Sequence, residues 1–135
     1  MARQVRPFLP TWQDKRYVKE LKRQSPRDRK AIEKDLAELL ATLRGAADLA
    51  TDPDLARFKP TAYRYRGVPQ LRSPGAQLYE YRLHGLTRVI VCHFVSHPAV
   101  GGEELVLLLA MTVSHDHERL VRLIREHRSS FDDQR

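Results

Sequence analysis

Apolar residues recur along this chain with two different periods, and the change of period divides it into elements. From Ile32 the positions Leu36, Leu39, Leu40 and Leu43 fall at i+4, i+7, i+8 and i+11, the signature of one apolar helix face. Ser25 before Pro26 supplies an N-cap and a first helical proline, Asp28 sits in the positive first turn, and Gly45 is placed to end the helix in a left-handed conformation. A shorter stripe of Tyr17, Val18 and Leu21 predicts a preceding helix of about three turns, with Thr11 as its cap. The brief break at Gln24-Ser25 makes the two a helical hairpin. Ahead of them, residues 3–9 carry Val5, Phe8 and Leu9 around Pro7, which allows at best an edge strand.

The second half reads with a period of two. Leu78 to His84 alternates, placing Glu80, Arg82 and His84 on one side and Tyr79, Tyr81 and Leu83 on the other. Gly85 marks a turn, and Arg88 to Val95 returns as a second strand. Glu104 to Val113 is almost unbroken apolar sequence, as a central strand buried on both faces requires. Ser114 or Asp116 then caps a last helix with Leu120, Leu123, Ile124 and His127 inward, and residues 129–135 read as a frayed tail. Between the halves, Ala46 to Leu55 admits a short helix starting at Asp52-Pro53, and a basic loop runs over about residues 56–77. Strands joined in sequence by short turns imply an antiparallel meander with helices packed on one face. The expected fold class is α+β, in a single domain spanning residues 1–135.

Composition adds a sign. The formal net charge is +7, and Arg57 to Arg72 contains five basic residues and no acidic one. Such a surface attracts polyanions by counterion release, and equally an acidic protein. Lys59, Arg64, Arg66 and Arg72 interleave with Tyr63 and Tyr65. Cations that hold phosphates beside rings that stack on bases make a single-stranded RNA groove, although a solvated loop with its rings folded on the core has the same composition. The one cysteine, Cys92, excludes an internal disulfide and fits a reducing cytoplasm. No apolar run approaches the roughly 18 residues of a membrane span, and no signal-peptide pattern follows the N-terminus. His115 and His117, without a cysteine or a third placed ligand, make a poor metal site, so neither a metal nor another cofactor is expected.

Three segments together resemble the RelE/ParE superfamily of bacterial toxin–antitoxin toxins. Phe8-Leu9-Pro10-Thr11-Trp12 leads into the helical hairpin; Tyr79-Glu80-Tyr81-Arg82, a glycine turn and Arg88-Val89-Ile90-Val91 form a strand–turn–strand; and a hydrophobic strand ends in Thr112-Val113-Ser114-His115-Asp116 before a helix. The resemblance covers roughly Phe8 to Ile124. It implies a RelE-like fold, with the N-terminal helical hairpin packed on a small, mainly antiparallel sheet and a C-terminal helix. It further implies a toxin of a type II module, a metal-independent endoribonuclease cutting mRNA at the ribosome. In that chemistry the ribose 2′-oxygen attacks the adjacent phosphate and expels the 5′-oxygen, which needs proton transfer and cations around the phosphorane.

By that resemblance Arg88 and Arg82 stabilise the phosphate and His115 transfers a proton. Glu80 is the complementary proton-transfer group, and Tyr81 and His117 align less closely. The implied partners are an acidic antitoxin, mRNA with the ribosome, and operator DNA through the antitoxin complex. The chain departs from the family in its loop at residues 46–77, in the insertion near Pro98-Gly102, and in carrying Glu80 where some members have lysine. The superfamily also contains gyrase poisons, so the alternative is a non-nuclease interaction protein of the same fold, either gyrase-directed or an inactive relative that binds antitoxin and operator. The residues themselves admit plainer roles. Arg82 and Arg88 also suit a solvated sheet face paired with Glu80, and His115-Asp116 a polar helix cap.

Overall fold

A computed structural model describes residues 4–6, 15–64, 76–97, 100–114 and 116–132. The elements in order are β1 (Gln4–Arg6), α1 (Lys15–Arg23), α2 (Pro26–Gly45), a 3₁₀ turn (Pro53–Phe58), β2 (Thr61–Ala62), β3 (Gln77–Arg82), β4 (Arg88–His97), β5 (Glu103–Thr112) and α3 (His117–Asp132). The cap proposed at Thr11 lies outside the described residues.

α2 begins as its sequence dictates. The Ser25 hydroxyl accepts the Asp28 N–H at 3.1 Å, and Pro26 stands at the first helical position. Ile32, Leu39 and Leu43 are buried, with Leu36 and Leu40 packed against them. Its end differs from expectation. Gly45 is the last helical residue, and the cap is Ala46 in extended backbone (φ −68°, ψ 137°). The reason is burial: Ala46 and Leu49 turn into the core, and a left-handed exit would have led the chain elsewhere. The following turn is held by carboxylates instead. Asp48 accepts the N–H groups of Ala50 and Thr51, and Asp52 those of Ala47 and Asp54.

Asp52-Pro53 does open a helical segment, but a 3₁₀ one that continues to Phe58. In that geometry residues three apart eclipse one another, so Leu55 and Phe58 bury on one side. The expected loop after it contains a strand: β2 pairs antiparallel with β3 (Thr61↔Glu80, Ala62↔Tyr79), and the Tyr63 N–H bonds the Leu78 carbonyl at 2.8 Å. Without β2, this stretch of β3 would present unpaired backbone groups at a sheet edge.

The sheet order is β1-β5-β4-β3-β2. β3, β4 and β5 form the expected antiparallel meander, while β1 lies parallel to β5, so the sheet is mixed. Gly85 supplies the positive φ (64°) of the β3–β4 turn. Every residue from Leu105 to Thr112 is buried.

The expectation that the helices share one face is corrected. Val89, Ile90, Val91 and Cys92 are successive residues with no exposure, so both faces of β4 are covered. On one face the Tyr81 O–H donates to the Leu49 carbonyl, just beyond α2; on the other, Glu80 approaches His117 at the start of α3. A sheet centre that is apolar on both sides needs two covers.

α3 is capped by Asp116, whose carboxylate accepts the Arg119 N–H at 3.0 Å. It continues to Asp132, so residues 129–132 of the expected frayed tail are helical. Arg119 is buried and bonds Glu20 of α1 at 2.6 Å, tying the first helix to the last. No described helix is long and apolar enough to cross a membrane.

Candidate functional site

The β3–β4 ladder sets Arg82 directly opposite Arg88, with Glu80 two residues along the same face opposite Ile90. Like charges facing each other across a ladder repel. Arg88 is only 6% exposed, one of its terminal nitrogens donates to the Thr87 carbonyl at 3.0 Å, and its buried Nε has no partner. Burial, and then the charge of Arg82, hold its guanidinium below the ordinary arginine range, with Glu80 acting the other way.

Arg82 and Arg88 line a cavity of about 270 Å³ with Arg57 and Lys59 from the 3₁₀ turn and its cap, Asp35 from α2, and His84 and Gly85 from the hairpin turn. Arg57 is held by Asp35 at 3.3 Å and by Glu38, and its guanidinium carbon lies 4.0 Å from the centre of the Phe58 ring. His84 Nε2 is 2.9 Å from Asp28, whose carboxyl this hydrogen bond, and then that from Ser25, hold below the ordinary range. Among the described residues Lys59, Arg82 and Arg88 make no ion pair.

Further along the same face lie Glu80, His117 and Tyr63. Glu80 is buried, and its Oε2, without a hydrogen bond, stands 3.8 Å from His117 Nδ1. The Tyr63 hydroxyl lies 3.1 Å from that same Nδ1, and the two rings stack with centroids 5.8 Å apart. When the hydroxyl donates, the neutral imidazole carries its proton on Nε2; when the ring is protonated, Nδ1–H donates toward the oxygens of Tyr63 and Glu80. A carboxylate and an imidazole thus stand beside two arginines on one face, the set a proton transfer next to a phosphate requires. No protein-family model, no curated protein and no solved structure matches this chain.

The fold brings three residues of the catalytic set expected from the sequence, Glu80, Arg82 and Arg88, onto one face and sets Lys59, expected to bind RNA, beside the arginines. His115 lies outside the described residues, as do Tyr65, Arg66 and Arg72. Arg64 is exposed next to Tyr63. Tyr63 itself is a correction: 5% exposed and stacked on His117, its ring does not face solvent as a platform for a base. It supports the imidazole instead. Nothing in the sequence marks Arg57 or Asp35 as part of a site, and by sequence pattern His117 stands behind His115. A helix-opening histidine near a glutamate is visible only once the sheet and α3 are stacked. Among the described residues no group of three His, Cys, Asp or Glu side chains is arranged to hold a metal ion.

Proposed function

We propose that this chain is a RelE/ParE-like toxin that cleaves mRNA without a metal ion, in a cytoplasmic module with an acidic antitoxin. The observation that carries the reading is the buried Arg88, its Nε unpartnered, opposite Arg82 on the face that holds Glu80 and His117. On this reading a phosphodiester of single-stranded RNA lies against Arg82 and Arg88, whose charges stabilise the phosphorane, an effect worth about 10²–10³ in rate per well-placed donor. Glu80 and His117 share the two proton transfers, from the 2′-oxygen and to the departing 5′-oxygen, each worth about 10²–10⁴. Tyr63 keeps the imidazole in one orientation.

The order of helical hairpin, antiparallel meander and terminal helix is compatible with a RelE-like fold. The net charge of +7 suits both a polyanionic substrate and an acidic inhibitor. The antitoxin would cover the basic face, and the complex would reach operator DNA through it.

Induced expression without an antitoxin is expected to arrest growth and translation, with new 5′ ends in cellular transcripts by primer extension. Arg88→Met and His117→Ala are each expected to abolish those ends. Arrest with intact transcripts would replace this reading with the non-nuclease alternative, and unchanged cutting in both variants would remove the site.

A further inference from the structure

We propose that the cavity at the β3–β4 turn is a pocket for a phosphomonoester, held by Lys59, Arg82 and Arg88 whether or not the chain cuts RNA. The charges that converge there do not cancel. Asp35, the one carboxylate on the described wall, is engaged by Arg57, and His84 is engaged by Asp28 outside the cavity. Lys59, Arg82 and Arg88 make no ion pair among the described residues, and Glu80 only partly offsets the repulsion of Arg82 on Arg88. Arg88 is more than nine-tenths buried, and its Nε hydrogen is unused.

An anion among these groups relieves the repulsion between the paired arginines. A phosphomonoester offers three terminal oxygens and close to two charges to three cations, whereas a diester offers two oxygens and one charge. The backbone of Lys59 points the same way. It is the one described non-glycine residue with positive φ (48°), a conformation that glycine adopts more easily, so the backbone there does not favour a lysine, and Lys59 lines the cavity. Two sources carry this chemistry, inorganic phosphate and the phosphorylated end of an RNA fragment.

The test uses the full chain. Its melting temperature is measured in sodium phosphate and in sodium chloride of equal ionic strength, then with adenosine 3′-monophosphate and with a dinucleoside diester. Phosphate and the monophosphate are expected to raise it by roughly 5–10 °C at a hundredfold excess over their Kd, with the diester at least tenfold weaker. Lys59→Gly, which relaxes the backbone, and Arg88→Met, which keeps side-chain volume, should fold and lose at least tenfold in affinity. An equal rise in chloride, equal binding of the diester, or an unchanged rise in both variants would overturn the pocket. Competition then names the source. A pentaribonucleotide with a 3′-phosphate binding tenfold more tightly than inorganic phosphate, and than its 3′-hydroxyl counterpart, supports an RNA end; equal affinity of oligomer and inorganic phosphate supports the free ion. Because every readout is binding, the pocket stands or falls separately from RNA cleavage.

Discussion

Arg88 combines features that stability alone would not select. It is buried, faces a second arginine, and leaves a donor unused. Burial and Arg82 both lower its pKa, so the protonated form is disfavoured by folding at every pH where it is charged. Arg88→Met is therefore expected to leave urea stability unchanged or to raise it by on the order of 1 kcal/mol, while anion binding is lost. A clear loss of stability would mean that the guanidinium holds the hairpin together. Glu80 and His117 make a related point. Each is unexceptional in sequence, and only the fold brings the Glu80 carboxylate and the His117 ring within 3.8 Å.

At the scale of elements, the caps decide where helices stop and start. Ser25 and Asp116 act where the sequence places them, and α2 stops at Gly45, but without the left-handed exit, because Ala46 and Leu49 are pulled inward and Asp48 and Asp52 organise the turn. The N–H groups of Ala50 and Thr51 hold the Asp48 carboxyl below its ordinary value of 3.8. A carboxylate with a lowered pKa stabilises the fold above the unfolded value, and that contribution disappears as pH falls through the folded one. Urea midpoints measured from pH 5 down to pH 2 should therefore fall through the window below 3.8, and less steeply in Asp48→Asn. An identical slope in the variant would exclude Asp48 as a contributor. The segment after it shows the limit of local reading. Asp52-Pro53 announces a helix start, yet the 3₁₀ form and the strand β2 follow from burying Phe58 and pairing β3.

For the whole molecule, the decisive contacts join distant parts of the chain. Arg119 and Glu20 are 99 residues apart and meet at 2.6 Å, so α1 and α3 are held together. Truncating one partner of such a pair leaves the other poorly solvated. Arg119→Ala is expected to lower stability by about 2–4 kcal/mol in urea unfolding, with a coupling of about 1–3 kcal/mol to Glu20→Gln in a double-mutant cycle. A coupling near zero would show that the two side chains act independently. The same long-range assembly builds the basic cavity, since Asp35, Lys59 and Arg88 come from α2, the 3₁₀ cap and β4.

By itself the sequence determined what depends on local periodicity and local capping: the extent of α2, the turn at Gly85, the meander, the buried run of β5, and the side of β3 that carries Glu80 and Arg82. These are legible because an apolar stripe or an alternation is written in consecutive residues. Tertiary structure alone decided that β1 lies parallel beside β5, that both sheet faces are covered, that Tyr63 turns inward, and that Glu80 meets His117 rather than solvent. Those outcomes depend on which distant surfaces stack and in which register. A pattern repeating every two or every 3.6 residues states that a face is apolar, not what will cover it.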